Sequence, residues 1–133
     1  RVLSLADRLW LTFIADGAHV PCPALGNYLR CAGFERCIIV TDAIAAAGLG
    51  PGRYTLGGQT IEIGDDGVAW SPDRSHFVGS AATMPSVLAG LREQLALPDD
   101  QLALLTERNP QAVLDGHPPP AGRHGGRSLP PCR

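Results

Sequence analysis

The sequence contains no lysine, since all 11 of its basic residues are arginine. A Schiff-base lysine and the phosphate-binding lysine of a P-loop are therefore excluded on this chain. The 13 acidic residues outnumber the basic ones, and the formal net charge is −2. This balance gives no electrostatic basis for binding nucleic acid or an anionic membrane, so neither is expected as a partner.

Long apolar runs are also absent. No stretch approaches the roughly 18 apolar residues that a membrane-spanning helix needs, and the chain lacks the basic start of a signal peptide. The cysteines form no C-x-x-C pair and have no histidine at metal-ligand spacing. They are Cys22, Cys31, Cys37 and Cys132. We expect free thiols in a reducing compartment, and hence a cytoplasmic protein.

The length and composition allow one folded domain or part of one, because 44% of the 133 residues are apolar. The chain begins with Arg1 and not with methionine, and we expect it to be a segment of a longer protein. Residues 116–133 differ from the rest, since half of them are glycine or proline. We therefore expect residues 1–115 to fold and residues 116–133 to form a disordered tail rich in proline, glycine and arginine.

The first part of the sequence has the pattern of a strand, a helix and a second strand. Leu9–Ile14 and Cys37–Val40 are nearly continuous apolar runs, and each predicts a strand buried on both faces. Between them, apolar residues recur at helical spacing until Gly33, which ends the predicted helix. These residues are Leu25, Tyr28, Leu29 and Ala32. The pattern predicts a βαβ unit with a parallel strand pair, and so an α/β fold.

The middle of the sequence predicts a β-hairpin. Gly57-Gly58 separates two short β-type runs, Tyr54–Leu56 and Thr60–Ile63. A further strand, Val68–Trp70, follows the turn residues Asp65-Asp66-Gly67. The hairpin interrupts the alternation of strands and helices.

Helices are predicted for the rest of the folded part. Apolar spacing favours a helix between Ser80 and Pro98, with Thr83 as its N-cap. Asp99 or Asp100 begins the next predicted helix. Asn109, followed by proline, is typical of an N-cap and predicts a last short helix.

Polar residues follow both predicted parallel strands. Asp16 and His19 come after the first strand, and Asp42 comes after the second. Carboxyl ends of parallel strands share one edge, so we expect these groups to gather where a carboxylate could move a proton and an imidazole could orient a substrate. Structural alternatives exist: Asp16 as a turn residue, His19 as a packing residue, and Asp42 as the N-cap of a helix over 43–47.

Several stretches resemble, in the same order, motifs in the C-terminal part of N-acetylglucosamine-6-phosphate deacetylases, a family of the amidohydrolase superfamily. The resemblance extends over about residues 3–115. The stretches are Ile14–Val20 (IADGAHV), Ile39–Gly48 (IVTDAIAAAG), Tyr54–Gly58 (YTLGG), Gly79–Met84 (GSAATM) and Asn109–Ala112 (NPQA).

This resemblance implies the C-terminal part of a metal-dependent (β/α)8 barrel with a β-hairpin excursion and terminal helices. It implies a hydrolase that converts N-acetylglucosamine 6-phosphate to acetate and glucosamine 6-phosphate. Asp42 would be the catalytic residue, taking a proton from the attacking water and returning it to the leaving amine. The substrate-binding residues would be Asp16, Gly17, Ala18, His19, Phe77, Val78 and Gly79, although Phe77 and Val78 differ from the family's usual side chains.

The resemblance also implies groups that this chain does not carry. In the family a divalent metal, zinc or similar, is held by a glutamate and two histidines from earlier strands, and no histidine precedes His19. We therefore expect no metal site on this chain and no activity from it alone, whereas the complete enzyme would be a homodimer. Two alternatives stay open: a non-catalytic remnant of the barrel, and a related amidohydrolase acting on another N-acetyl sugar or amide.

Overall fold

The computed structural model describes residue 3 and residues 8–121. The strands are β1 (Leu11–Ile14), β2 (Cys37–Val40), β3 (Gly52–Leu56), β4 (Gln59–Ile63), β5 (Val68–Trp70) and β6 (Phe77–Ser80). The helices are α1 (Cys22–Ala32), α2 (Met84–Leu95), α3 (Asp99–Ala103) and α4 (Asn109–Leu114). None of the helices in these ranges is long and apolar enough to cross a bilayer.

The predicted βαβ unit is confirmed. β1 and β2 pair in parallel, with Leu11 opposite Cys37 and Ile14 opposite Val40. α1 connects them, and its Leu25 and Leu29 side chains are fully buried. Gly33 ends the helix at a φ of 91°, a conformation that glycine adopts without a steric penalty.

The expectation that the first strand is buried on both faces is wrong. The strand begins at Leu11 rather than Leu9, and Leu9 is 43% exposed. Leu11 is buried, but Thr12 is exposed. The physical reason is that successive side chains of a strand point to opposite faces, and within the described residues the Thr12 side of β1 is left uncovered.

A second sheet follows in the antiparallel order β3-β4-β5-β6. The predicted hairpin is confirmed, with Thr55 opposite Thr60 across the Gly57-Gly58 turn, and the predicted strand Val68–Trp70 is β5. β6 was not predicted, because its short segment contains Gly79, and glycine weakens the strand signal. β6 runs beside the chain leaving β2, where Ala43 and Ser80 form a parallel bridge.

Two apolar clusters stabilise the fold. The first lies between the βαβ unit and the later helices and contains Leu11, Ala15, Leu25, Leu29, Ala32, Cys37, Ile39, Val87, Leu91, Leu102 and Leu105. The second lies under the antiparallel sheet and contains Ala46, Ile61, Ile63 and Ala69. Both clusters pack against segments that leave β1 and β2, so they fix where these strands end.

Thr83 caps α2 as predicted, since its hydroxyl accepts a hydrogen bond from the Ser86 amide. The helix begins at Met84 and not near Ser80, because Ser80 belongs to β6. Val87 and Leu91 are buried on the face that the apolar spacing predicted.

The N-cap prediction for Asn109 is wrong. Asn109 has helical dihedral angles, φ −68° and ψ −45°, and a π-helical turn (Leu104–Arg108) joins α3 directly to α4. The turn lets the helix continue to Pro110, because the Asn109 amide bonds to the Leu104 carbonyl oxygen one residue further back than in an α-helix. The buried Asn109 side chain instead donates to the carbonyl oxygens of Phe34 at 2.8 Å and Cys37 at 2.7 Å.

The expected tail boundary at residue 116 falls within hydrogen-bonded structure. The Trp10 Nε1 group donates to the His117 carbonyl oxygen at 3.1 Å, and the Arg36 Nε group donates to the Pro120 carbonyl oxygen at 2.8 Å. These two bonds attach the start of the expected tail to the body. Residues 122–133 lie outside the described residues, and for them a disordered tail stays a prediction.

Candidate functional site

Asp16 and His19 form a compact turn immediately after β1. The Asp16 Oδ1 atom accepts hydrogen bonds from the Ala18 and His19 amides, both at 3.0 Å. The Asp16 Oδ2 atom lies 2.7 Å from the His19 Nδ1 atom. Gly17 makes the turn with a φ of 82°. Gly17 and Ala18 therefore contribute through the backbone, and the imidazole is the side chain that the turn presents.

The carboxylate of Asp16 is buried and hydrogen-bonded within this turn. Its side chain is 4% exposed, compared with 20% for His19. Burial is the largest influence on Asp16 and acts to raise its pKa. The hydrogen bonds from the His19 amide and ring, with those from Ala18 and Ser80, outweigh burial and lower the pKa from its usual value of 3.8. A buried carboxylate of this kind stays ionised beside the imidazole.

An aromatic side chain from β6 covers the His19 ring. The Phe77 and His19 ring centroids lie 4.9 Å apart, and the Phe77 and Trp70 centroids lie 4.5 Å apart. The Val78 side chain instead packs against the second apolar cluster. Of this predicted substrate-binding segment, Phe77 is therefore the side chain in contact with His19, and Val78 remains half-buried.

Asp42 occupies the matching place after β2, two residues beyond Val40. Its φ is 53°, in the left-handed region that residues other than glycine rarely adopt. The residue is exposed, and its carboxylate makes no hydrogen bond or ion pair with any described residue. Strained backbone of this kind is found preferentially at functional sites.

The alternative role of Asp42 as a helix N-cap is wrong. Ala43 forms a β-bridge and residues 45–48 form a turn, so residues 43–47 contain no helix to cap. The Ala43 amide donates to the Thr41 hydroxyl at 3.3 Å, not to Asp42. The carboxylate therefore has no structural partner within the described residues.

Gly79 packs directly against this segment. A Cβ atom at Gly79 would lie 2.6 Å from the Ile44 Cγ2 atom and 3.3 Å from the Asp42 carbonyl oxygen. The φ of Gly79 is also 100°, which disfavours any larger residue. Only glycine lets β6 approach Asp42 this closely.

Ser80 is a site residue that the sequence reasoning missed. It is fully buried; its amide donates to the Asp42 carbonyl oxygen at 3.0 Å, and its hydroxyl helps to lower the pKa of Asp16. One residue thus connects the segments that follow β1 and β2. The available signal was the serine in second place of the GSAATM stretch, but a single serine does not reveal such a link.

The described residues do not provide a metal centre. Within residue 3 and residues 8–121, no group of three or more His, Cys, Asp or Glu side chains could hold a metal ion. Asp42 offers one unpaired carboxylate, whereas the Asp16 oxygens are already hydrogen-bonded. A divalent metal therefore does not fit these residues by themselves.

The arrangement suits proton transfer beside an oriented ligand. Parallel pairing brings the segments after Ile14 and Val40 to one edge, where the Ala15 amide donates to the Val40 carbonyl oxygen at 3.3 Å. An exposed carboxylate at this edge can accept a proton, and a held imidazole can hydrogen-bond a substrate group. Such edges carry the functional groups of many α/β proteins.

No protein-family model matches the chain, but curated proteins do. An N-acetylgalactosamine-6-phosphate deacetylase from Escherichia coli O157:H7 is 40% identical over 90 residues, which cover 68% of this chain and 22% of that protein. The N-acetylglucosamine-6-phosphate deacetylase of Vibrio furnissii is 31% identical over 110 residues, which cover 83% of this chain and 27% of that protein. The chain spans between about a fifth and a half of the length of such relatives.

Solved structures give the same result. A mutant of N-acetyl-D-glucosamine-6-phosphate deacetylase from Mycobacterium smegmatis, in complex with N-acetyl-D-glucosamine-6-phosphate, superposes with a TM-score of 0.72 at 32% identity. The match covers 90% of this chain and 33% of that one. The N-acetylglucosamine-6-phosphate deacetylase from Pasteurella multocida gives a TM-score of 0.73 at 26% identity, over 86% of this chain and 29% of that one.

Fold and site together define an α/β protein with a polar edge at the carboxyl ends of two parallel strands. Over most of its described length the chain is related, in sequence and in structure, to the N-acetylglucosamine- and N-acetylgalactosamine-6-phosphate deacetylases. The relationship covers only part of the length of those enzymes.

Proposed function

We propose that this chain forms part of the active site of an N-acetylglucosamine-6-phosphate deacetylase. The reaction is hydrolysis: water adds to the acetyl carbonyl, the C–N bond breaks, and acetate and glucosamine 6-phosphate are released. The observation that carries the proposal is Asp42, an exposed carboxylate without a described partner, held in a left-handed conformation at the carboxyl end of β2.

In this proposal Asp42 moves the proton. Its carboxylate accepts a proton from the attacking water and returns it to the amine as the C–N bond breaks. General acid–base catalysis of this kind contributes roughly 10²–10⁴ in rate. The position of Asp42 supports the role, because Gly79 and Ser80 pack against its backbone and leave the carboxylate exposed.

His19 and the start of β6 would bind the sugar. The imidazole is partly exposed beside the Phe77 ring, and the turn of Gly17 and Ala18 holds it there. We assign Gly79 and the Val78 backbone to the same surface, since β6 runs past the segment that contains Asp42. Asp16 supports this surface through His19.

The family resemblance adds a divalent metal, zinc or similar, that would polarise the acetyl carbonyl. The described residues contain no ligand set for it, so we propose that its ligands come from elsewhere in a complete enzyme. We also propose that the βαβ unit is part of a (β/α)8 barrel. The complete enzyme would be a cytoplasmic homodimer, and it would have no nucleic-acid or membrane partner. The chain alone is then expected to be inactive.

Two further candidates rest on specific observations. N-acetylgalactosamine 6-phosphate is a second candidate substrate, because relatives named for it reach 40% identity. A non-catalytic role for the chain is favoured by the lack of a metal-ligand cluster among the described residues. One experiment can test both candidates, because the second substrate and the loss of activity are measured separately.

The experiment is a chimera in which residues 8–115 replace the matching segment of the Mycobacterium smegmatis deacetylase. We expect acetate release from N-acetylglucosamine 6-phosphate, with N-acetylgalactosamine 6-phosphate assayed in parallel. The unmodified enzyme is the positive control, and the 133-residue chain with zinc is expected to show no turnover. A folded, metal-loaded chimera that is inactive on both sugars would contradict the proposed function and support the non-catalytic candidate.

A further inference from the structure

We propose that Asp16 is a positioning residue that fixes the proton of the His19 ring on Nδ1, so that Nε2 meets a ligand as a hydrogen-bond acceptor. The ligand role of His19 rests on the proposed function. The protonation pattern depends only on the contacts of the described residues.

The two oxygen atoms of Asp16 have different partners. Oδ1 accepts both backbone amides, from Ala18 and His19, each at 3.0 Å. Oδ2 is the atom that faces the His19 Nδ1, at 2.7 Å. Because an ionised carboxylate only accepts hydrogen bonds, a neutral ring must carry its proton on Nδ1 to bond with Oδ2.

The surroundings then determine which ring atom remains for a ligand. Phe77 packs against one side of the imidazole at a centroid distance of 4.9 Å and an interplanar angle of 58°. Nε2 makes no hydrogen bond with a described residue, and the His19 side chain is 20% exposed. The atom presented outward is therefore an unprotonated nitrogen, which accepts from a hydroxyl group and does not donate to a phosphate or carbonyl oxygen. We therefore expect His19 to accept a hydrogen bond from a sugar hydroxyl group.

Substituting Asp16→Asn gives a specific expectation. The two backbone amides require an acceptor at the Oδ1 position, so the amide oxygen of asparagine will stay there. Its NH2 group will take the place of Oδ2 and donate to Nδ1, which moves the ring proton to Nε2. The same substitution at a catalytic Asp–His pair leaves the geometry intact and produces the wrong tautomer, as the serine-protease triad illustrates.

The test is nitrogen-15 NMR of the imidazole rings in the 133-residue chain at about pH 8.5, above the ordinary imidazole range. A His19→Gln variant assigns the His19 signals. We expect the Nδ1–H pattern in the wild-type chain and the Nε2–H pattern in Asp16→Asn. The control is Asp66→Asn, because the Asp66 Oδ1 atom also caps a turn, through the Val68 amide at 3.0 Å, without touching an imidazole. It should leave the His19 pattern unchanged.

An Nε2–H pattern in the wild-type chain would overturn the proposal without any variant, as would an unchanged tautomer in Asp16→Asn. In the chimera, Asp16→Asn should raise KM for the sugar phosphate several-fold more than it lowers kcat. Inversion of the tautomer with an unchanged KM would support the Asp16–His19 assignment and contradict the sugar-binding role of His19 in the proposed function. The two failures are therefore distinguishable.

Discussion

The Ser80 amide donates a hydrogen bond to the Asp42 carbonyl oxygen at 3.0 Å, and this bond joins the end of β6 to the segment that follows β2. The Ile44 amide completes the link by donating to the Ser80 carbonyl oxygen, also at 3.0 Å. Asp42 is thus held by its backbone while its carboxylate stays exposed. The held backbone fixes where the carboxylate can reach, and the exposed carboxylate is free to accept a proton from a ligand.

The close approach of β6 predicts that Gly79→Ala is destabilising. The new methyl group would lie 2.6 Å from the Ile44 Cγ2 atom, and alanine would have to adopt a φ of 100°. Left-handed strain of about 1–2 kcal/mol and overpacking of about 1–3 kcal/mol give a loss of about 2–5 kcal/mol in the free energy of unfolding, measured by urea denaturation.

The control for this substitution is Gly50→Ala. Gly50 also has a positive φ, 87°, but no atom lies within 4 Å of the added methyl group. Its loss should be limited to the backbone strain, about 1–2 kcal/mol. Equal losses at the two positions would show that β6 does not pack tightly against Ile44 and Asp42.

Asn109 carries a second stability prediction. Its side-chain amide donates to the carbonyl oxygens of Phe34 and Cys37, and the residue is 4% exposed. Asn109→Ala removes the side-chain donor from both carbonyls, of which the Phe34 oxygen keeps the Cys37 amide as a partner, and should cost about 1–3 kcal/mol. Gln111→Ala, on the exposed face of the same helix, should cost less than about 0.5 kcal/mol. A loss at Asn109 as small as that at Gln111 would contradict the described hydrogen bonds.

Asp16 predicts a pH dependence of stability. Its pKa is lowered in the folded chain, so its ionised form stabilises the fold above the unfolded value of 3.8. This contribution is lost as the pH falls below that value and through the lower folded pKa. The Ser71 and Ser75 hydroxyls hold the pKa of Asp73 at about 2, which acts in the same direction.

Chemical denaturation between pH 2 and pH 7, taken as a broad range around the ordinary carboxylate values, measures this dependence. Asp16→Asn should flatten the acid-side slope without abolishing it, because Asp73 still contributes. An identical slope in the variant would mean that Asp16 is not ionised and hydrogen-bonded as the structure describes.

No strand among the described residues pairs with the second edge of β1, and this open edge predicts self-association. Leu9 is 43% exposed beside this edge, and unpaired strand edges template pairing between chains. We expect concentration-dependent association of the 133-residue chain in sedimentation velocity, and Leu9→Lys should reduce it. Leu49→Lys is the control, since Leu49 is 65% exposed and lies in the loop between β2 and β3. A monomer at every concentration, with one sharp melting transition, would argue against an open edge.

Sequence patterns predicted the elements whose signals are local. Helical spacing ended by Gly33 predicted α1, and the Gly57-Gly58 turn predicted the hairpin. β6 was missed because Gly79 is needed for contact with Ile44, a long-range requirement. The helix through Asn109 was misread, because its side chain bonds to carbonyls 72 and 75 residues away in sequence.

The sequence predicted where the candidate site lies but not which hydrogen bonds join its residues. Asp16, His19 and Asp42 each follow an apolar strand, so their shared edge could be inferred from parallel pairing. The partners of each group could not be inferred from spacing. The Asp16 carboxylate is hydrogen-bonded to His19, whereas the Asp42 carboxylate has no partner among the described residues. Ser80 links the segments that follow β1 and β2.

The central claim is that Asp42 transfers the proton, and Asp42→Asn in the chimera tests it most directly. Asparagine tolerates a left-handed φ and keeps the backbone bond from Ser80, so the fold and metal content should be unchanged. Asp66→Asn is the matched control, because it also removes one turn carboxylate.

The measurement is kcat for acetate release from N-acetylglucosamine 6-phosphate at equal metal content. We predict that Asp42→Asn lowers kcat by roughly 10²–10⁴, with KM little changed, whereas Asp66→Asn keeps the activity of the chimera. Retention of more than about a tenth of kcat by a folded, metal-loaded Asp42→Asn chimera, a margin below the low end of that range, would contradict the catalytic assignment.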